Sequence, residues 1–224
     1  MPPLSHPRKR SWLPADTSLW TTCHIVSDTV QGRTPEHRIE TLFPLAGGEI
    51  ALAAGNLFVD SFYAAGNGSY ERSSTFVWGA GPFGLALAAG TLAASAAGNA
   101  SRRNQAAADA QQAWRPLFGG TLFVTSEGFY IQTMQGLYPW TWDSVDLMQV
   151  VGFNVVIMQA RSTSGPVTWR LTSEWSELVF VLWALRRHPH HPQLRDGSWM
   201  PANWLDWATH QGYRPHLDRP QITC

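Results

Sequence analysis

Between residues 119 and 187 the hydrophobic positions recur first with period two and then with the period of a helix. Leu122 and Val124 lie on one side of a run at 121–125 and Phe123 on the other, the alternation of a strand. Ser126-Glu127-Gly128 is a short connection, and Phe129, Tyr130 and Ile131 begin a return strand, so the pair predicts a hairpin. Gln135-Gly136 punctuates again. Tyr138, Trp140 and Trp142 then stand at i, i+2 and i+4, which predicts three aromatics on one sheet face. Pro139 among them cannot donate to a ladder and predicts an edge strand or a bulge. Two further apolar runs, 145–151 and 153–160, are separated by Gly152, and Ser164-Gly165-Pro166 is a turn. Val167, Trp169 and Leu171 alternate with Thr168, Arg170 and Thr172.

The period changes at Glu174. Trp175, Leu178, Val179, Leu182 and Leu185 fall on one helix face. Ser173 is a suitable N-cap, Glu174 and Glu177 suit the positive end of the helix dipole, and Arg186-Arg187-His188 suit the negative end. Pro189 stops the helix.

Upstream the pattern is less regular. Residues 1–16 are rich in proline and charge and predict a disordered tail, and 17–47 an N-terminal extension. Within it, 17–30 fits either helix or strand. Thr34 as N-cap and Pro35 at the first helical position predict a short helix over 35–42. Runs at 49–54 and 57–64 read as strands, and Asn67-Gly68 predicts a hairpin to a return strand at 70–78. At the other end, 189–224 forms a C-terminal extension with a helix at about 202–211, where Trp204, Trp207 and Ala208 share a face.

One stretch breaks the pattern. No charged residue occurs from Ser73 to Ser101, and small residues recur every fourth position at Ala86, Gly90, Ala94 and Gly98. On a helix they form a smooth ridge that admits another backbone at close range. An Ala/Gln run carries on to Ala113, and Pro116 ends it, so a helical insertion is expected over about 79–115. Three readings of the ridge stay open. It could be a membrane-inserted helix, although 82–97 falls short of the ~20 residues that cross a bilayer. It could be a self-association surface, or a helix buried on its own sheet.

Composition narrows the partners. Charged residues make up 14% of the 224-residue chain, against ~25% in a typical soluble domain, while tryptophans number twelve. A low-charge, aromatic-rich chain either covers part of its surface with a partner, a membrane or another copy, or spends the tryptophans on its core. The formal net charge is zero, so no basic face is expected for nucleic acid. Two distant cysteines give neither a disulfide framework nor metal spacing. Arg8-Lys9-Arg10 is not followed by an apolar core of a signal peptide, so a cytoplasmic chain is expected, with membrane association left open.

Gly120-Thr121-Leu122-Phe123-Val124-Thr125 followed by Phe129-Tyr130, and a tryptophan-rich strand entering Asp143-Ser144-Val145, resemble the PH-like superfamily, in particular its GRAM and bacterial PH-like branch. The resemblance covers about 119–187 and extends to the strands at 48–64. It implies an α+β fold, a PH/GRAM-like antiparallel β-roll over 48–188 capped by a C-terminal helix, with the Gly/Ala-rich insertion inside it. It brings no residue-level ligand site.

The chemistry is correspondingly sparse. No G-x-S-x-G, P-loop or H-E-x-x-H occurs, so no enzyme activity and no cofactor are expected. His188, His190 and His191 are weak metal candidates, because the intervening prolines restrict their convergence and no carboxylate or thiolate stands at regular spacing nearby. Arg102, Arg103 and Arg115 are candidates for contact with an anionic surface. The expectation is a non-enzymatic binding module, peripheral to a membrane or directed at a protein, self-associating through Ala86, Gly90, Ala94 and Gly98. Alternatives are a metal-dependent protein or enzyme using the His-rich region, and a structural part of a larger assembly.

Overall fold

Short polar turns between alternating runs fold the chain into successive hairpins. The computed structural model describes residues 10–33, 35–63, 112–215 and 217. Helix α1 (Pro14–Val30) precedes strands β1 (Ala51–Tyr63), β2 (Ala113–Thr125), β3 (Gly128–Thr133) and β4 (Gly136–Thr141). A single 3-10 turn (Trp142–Ser144) leads to β5 (Val145–Gly152), β6 (Val155–Ser162) and β7 (Gly165–Thr172). Helices α2 (Ser176–Arg187), α3 (Pro192–Asp196) and α4 (Trp204–His210) follow. The class is α+β.

All seven strands lie in one antiparallel sheet with order β4-β3-β2-β1-β7-β6-β5. Sequential strands are neighbours everywhere except between β4 and β5, where the 3-10 turn intervenes. The last strand returns to the first: Phe58 to Ser61 of β1 pair with Thr172 to Trp169 of β7. The sheet is curled. Trp140 of β4 and Trp169 of β7 are separated by three strands in the order, yet their ring centroids lie 5.0 Å apart. Phe118 joins the same cluster at 5.7 Å from Trp169, and Phe129 at 6.0 Å from Trp140.

Helix α2 packs against β3, β5, β6 and the 3-10 turn, and so covers the side where β4 and β5 do not pair. Its apolar residues from Leu178 to Ala184 are buried, and the Trp183 indole N–H donates to the Val145 carbonyl at 3.0 Å. Helix α1 packs on α2. Close strand approach dictates two glycines: a Cβ on Gly128 would stand 2.0 Å from the Trp140 carbonyl oxygen, and one on Gly120 2.3 Å from the Gln132 carbonyl oxygen.

Several expectations change. Residues 14–16 belong to α1 rather than to a disordered tail, because the Asp16 carboxylate accepts the Leu13 backbone N–H and is gripped by Arg10. No helix forms over 35–42. Instead the Ile39 N–H donates to the Ala51 carbonyl at 3.0 Å, and Phe43 lies 5.1 Å from the Phe123 ring and 5.0 Å from the Tyr130 ring, so the segment straps the sheet. The runs at 49–54 and 57–64 merge into β1. Residues 113–115 are strand, not the end of a helical insertion, and Pro116 sits at a bulge. Val59 pairs with Phe118 and Asp60 with Pro116, leaving Leu117 as the extra, exposed residue. A bulge tolerates the missing proline N–H as readily as a helix end does.

Pro139 lies on an edge strand, as expected. Of the three alternating aromatics, Trp140 and Trp142 are buried and Tyr138 is exposed, and Trp142 belongs to the 3-10 turn. Helix α2 starts at Ser176, later than expected, with Trp175 as N-cap. The Ser173 N–H donates to the Ser176 hydroxyl, and the Ser173 hydroxyl accepts the Trp175 N–H. The Asn67-Gly68 hairpin, the return strand at 70–78 and most of the Gly/Ala-rich insertion lie outside the described residues. Among the described residues, no helix is long and apolar enough to cross a membrane.

Candidate functional site

The N-terminal helix is held rigidly at its start. Both Asp16 oxygens accept from Arg10, at 2.7 and 2.8 Å, and Oδ1 also accepts the Trp204 indole N–H at 2.9 Å. The Arg10 guanidinium lies 4.7 Å over the Trp207 ring and 5.6 Å over Phe153. Trp12 stacks on Tyr213 with centroids 3.7 Å apart and on Trp207 at 5.4 Å. This cluster ties α1 to α4 and completes the burial of Asp16.

A groove runs along α1 from this anchored end. Its helix wall is a stripe formed by Thr17, Trp20, Thr21, His24 and Asp28, spaced three and four residues apart. The segment after α1 supplies Arg33, Glu36 and His37, and the approach to α2 supplies Glu174 and Trp175. The groove has two contiguous wells of about 590 and about 530 Å³ that share Thr21 and His37. Trp175 is fixed by its indole N–H, which donates to the Ala54 carbonyl at 2.9 Å. Its ring and the Glu174 carboxylate lie directly over Gly55, where a Cβ would fall 2.7 Å from Trp175 Cδ1 and 2.8 Å from Glu174 Oε1. Gly55 is thus the residue that lets this wall sit on β1.

The groove is acidic. Arg33 hydrogen-bonds Asp28 through Nε at 3.1 Å and through its terminal nitrogen, and the guanidinium holds the Asp28 carboxyl below the usual range. Glu36 in one well and Glu174 in the other have no ion-pair partner among the described residues. Aromatic rings flank both: Trp20 and His24 with centroids 4.3 Å apart, and His37 and Trp175 at 6.4 Å. The Trp20 indole nitrogen is buried and finds no acceptor among the described residues.

Other candidates disperse. Arg115 is a half-buried residue of β2 opposite Ser61, with its guanidinium 5.9 Å over Tyr63, and not the end of an insertion helix. Ala86, Gly90, Ala94, Gly98, Arg102 and Arg103 lie outside the described residues. His188, His190 and His191 turn at the end of α2. His188 and His191 approach the Trp183 ring at 4.8 and 5.9 Å, and burial and the nearby His188 lower the His191 pKa. Among the described residues, no three His, Cys, Asp or Glu side chains converge as a metal site would require. Burial pushes the Cys23 thiol up to about 12, which suppresses the thiolate that nucleophilic chemistry needs.

Two features differ from the sequence reading: Glu177, expected as an acid on the helix dipole, and the groove. Glu177 is buried at the start of α2, where Oε1 accepts the Asn154 backbone N–H at 2.6 Å and Oε2 has no partner among the described residues. Burial raises its pKa to about 7. The acidic groove itself was also missed, since its walls come from three separate stretches of chain. Comparison with known proteins adds no relative: no family model, no curated protein and no solved structure matches.

Proposed function

We propose that the chain is a non-enzymatic binding module, with a PH/GRAM-like roll as scaffold and the Gly/Ala-rich insertion as a contact element. The observation that carries this reading is the topology. The meander is joined at β1 and β7 and covered by α2 where β4 and β5 part, an order that fits the resemblance in the strand sequences. The insertion lies between Tyr63 and Ala113, which are paired neighbours at the end of one hairpin arm. Its uncharged stretch and its ridge of Ala86, Gly90, Ala94 and Gly98 suit self-association by close backbone approach. Arg102 and Arg103 suit contact with an anionic membrane surface.

The test is Gly90→Leu in the intact protein, followed by sedimentation alone and with anionic vesicles. Weakened self-association or vesicle recovery, with an unchanged circular dichroism spectrum, is the expected result. Identical behaviour of variant and wild type in both assays would sink the reading.

A further inference from the structure

We propose that Glu177 and Asn154 form a proton-operated latch, in which Glu177 Oε2 carries a proton and donates it to Asn154 Oδ1. The latch belongs to the roll itself, so it goes beyond the reading above and does not depend on the insertion. Asn154 stands in the turn between β5 and β6 with φ 66°, a left-handed conformation that asparagine tolerates better than most residues. From there its backbone grips the start of α2. Its N–H donates to Glu177 Oε1 at 2.6 Å. Its carbonyl accepts the Ser173 N–H and the Ser176 hydroxyl, each at 3.0 Å.

The side chains leave that grip incomplete. Glu177 Oε2 and Asn154 Oδ1 are both buried and have no partner among the described residues. Both are acceptors, on residues already bonded to each other, and both lack a donor. A carboxylate cannot supply one. A carboxylic acid can: Oε1 goes on accepting from the backbone while Oε2–H donates, so one proton satisfies both oxygens. Burial independently raises the Glu177 pKa to about 7, with no charged side chain among the causes. The ionisable groups on the surrounding elements are committed elsewhere. On α1, Asp16 pairs with Arg10, and burial keeps the Cys23 thiol neutral. Glu174 lies over Gly55, and Asp146 of β5 pairs with Arg161 of β6. Ionisation above about 7 removes the donor and sets a buried charge beside Asn154, so the turn lets go of α2. The neighbouring Phe153 ring lies under the Arg10 guanidinium at 5.6 Å, and Arg10 holds Asp16. Release of the turn therefore also loosens the start of α1.

The test follows the Glu177 carboxyl carbon resonance of the intact protein through a pH titration, in wild type and in Asn154→Gly. Glycine keeps the left-handed backbone and its N–H and removes Oδ1 alone. The titration midpoint should fall by about one pH unit in the variant, because the acid loses its acceptor. An unchanged midpoint would overturn the proposal. So would a rise, which would mean that the Asn154 amide donates to an ionised Glu177. Glu177→Gln supplies a second reading, since its amide accepts and donates as the protonated acid does. Amide exchange at Asn154 and Ser173, corrected for base catalysis, should quicken above about pH 7 in wild type and not in Glu177→Gln. Equal quickening in both would also overturn the latch. Circular dichroism checks that each variant folds.

Discussion

Glu177 carries the clearest proton linkage among the described residues. Its sequence position, near a helix start, suggests an ionised acid on the helix dipole. The structure buries it beneath the turn between β5 and β6, and desolvation outweighs the hydrogen bond from Asn154. The folded-state pKa of about 7 exceeds the ordinary 4.5, so the folded protein holds this proton more tightly than the unfolded chain. The group's contribution to stability is therefore full below about 4.5 and lost as the pH rises through about 7. The loss is on the order of 3 kcal/mol at most. Urea unfolding of Glu177→Gln should show a markedly smaller decline between pH 5 and pH 8 than wild type; equal declines would place the linkage elsewhere. Gly55 makes a second prediction at this scale. Gly55→Ala drives a methyl into Trp175 and Glu174, and should cost about 1–3 kcal/mol in denaturant unfolding. Neither effect was legible in the sequence, since each depends on residues brought together from distant stretches.

At the scale of elements, the sheet's two free edges are protected differently. On β4, Pro139 withholds a donor, a device visible in the sequence. On β5, Gln193 of α3 accepts the Val150 N–H at 3.0 Å and donates to the Val150 carbonyl at 2.8 Å, standing in for a partner strand. The His/Pro-rich turn, whose histidines suggested metal ligation, thus serves to position an edge guard. Gln193→Ala should cost about 1 kcal/mol and speed amide hydrogen exchange at Val150; unchanged exchange would show that the edge is held by other contacts. Local period was enough to find the β2–β3 hairpin and α2, because their patterns are set by neighbours in sequence. It failed at Pro35 and at Ala113, where helix-favouring signals lost to sheet contacts. Ile39 bonds to Ala51, and Ala113 pairs with Tyr63. It was also blind to the β1–β7 pairing, which joins strands about 110 residues apart in chain.

At the scale of the molecule, the start of α1 and the C-terminal helix α4 are held to each other. Asp16 and Trp204 are 188 positions apart and share a buried hydrogen bond at 2.9 Å, while Trp12 stacks on Tyr213 and Trp207. Several of the twelve tryptophans are accounted for in this way: Trp140, Trp142, Trp183 and Trp204 are buried, and Trp12 clamps the ends together. Trp204→Phe keeps the ring contact and removes the donor to a buried carboxylate. It should cost about 1.5–3 kcal/mol and release α1 and α4 together, seen as joint loss of exchange protection in both helices; independent loss would divide the body in two. The central claim is that this body is a scaffold for contact with a partner surface. Sedimentation velocity of the intact 24.9 kDa chain, alone and with small anionic vesicles, tests it most directly. The account predicts a species heavier than the monomer, or migration with the vesicles. A chain that sediments as a lone monomer in both conditions would contradict it.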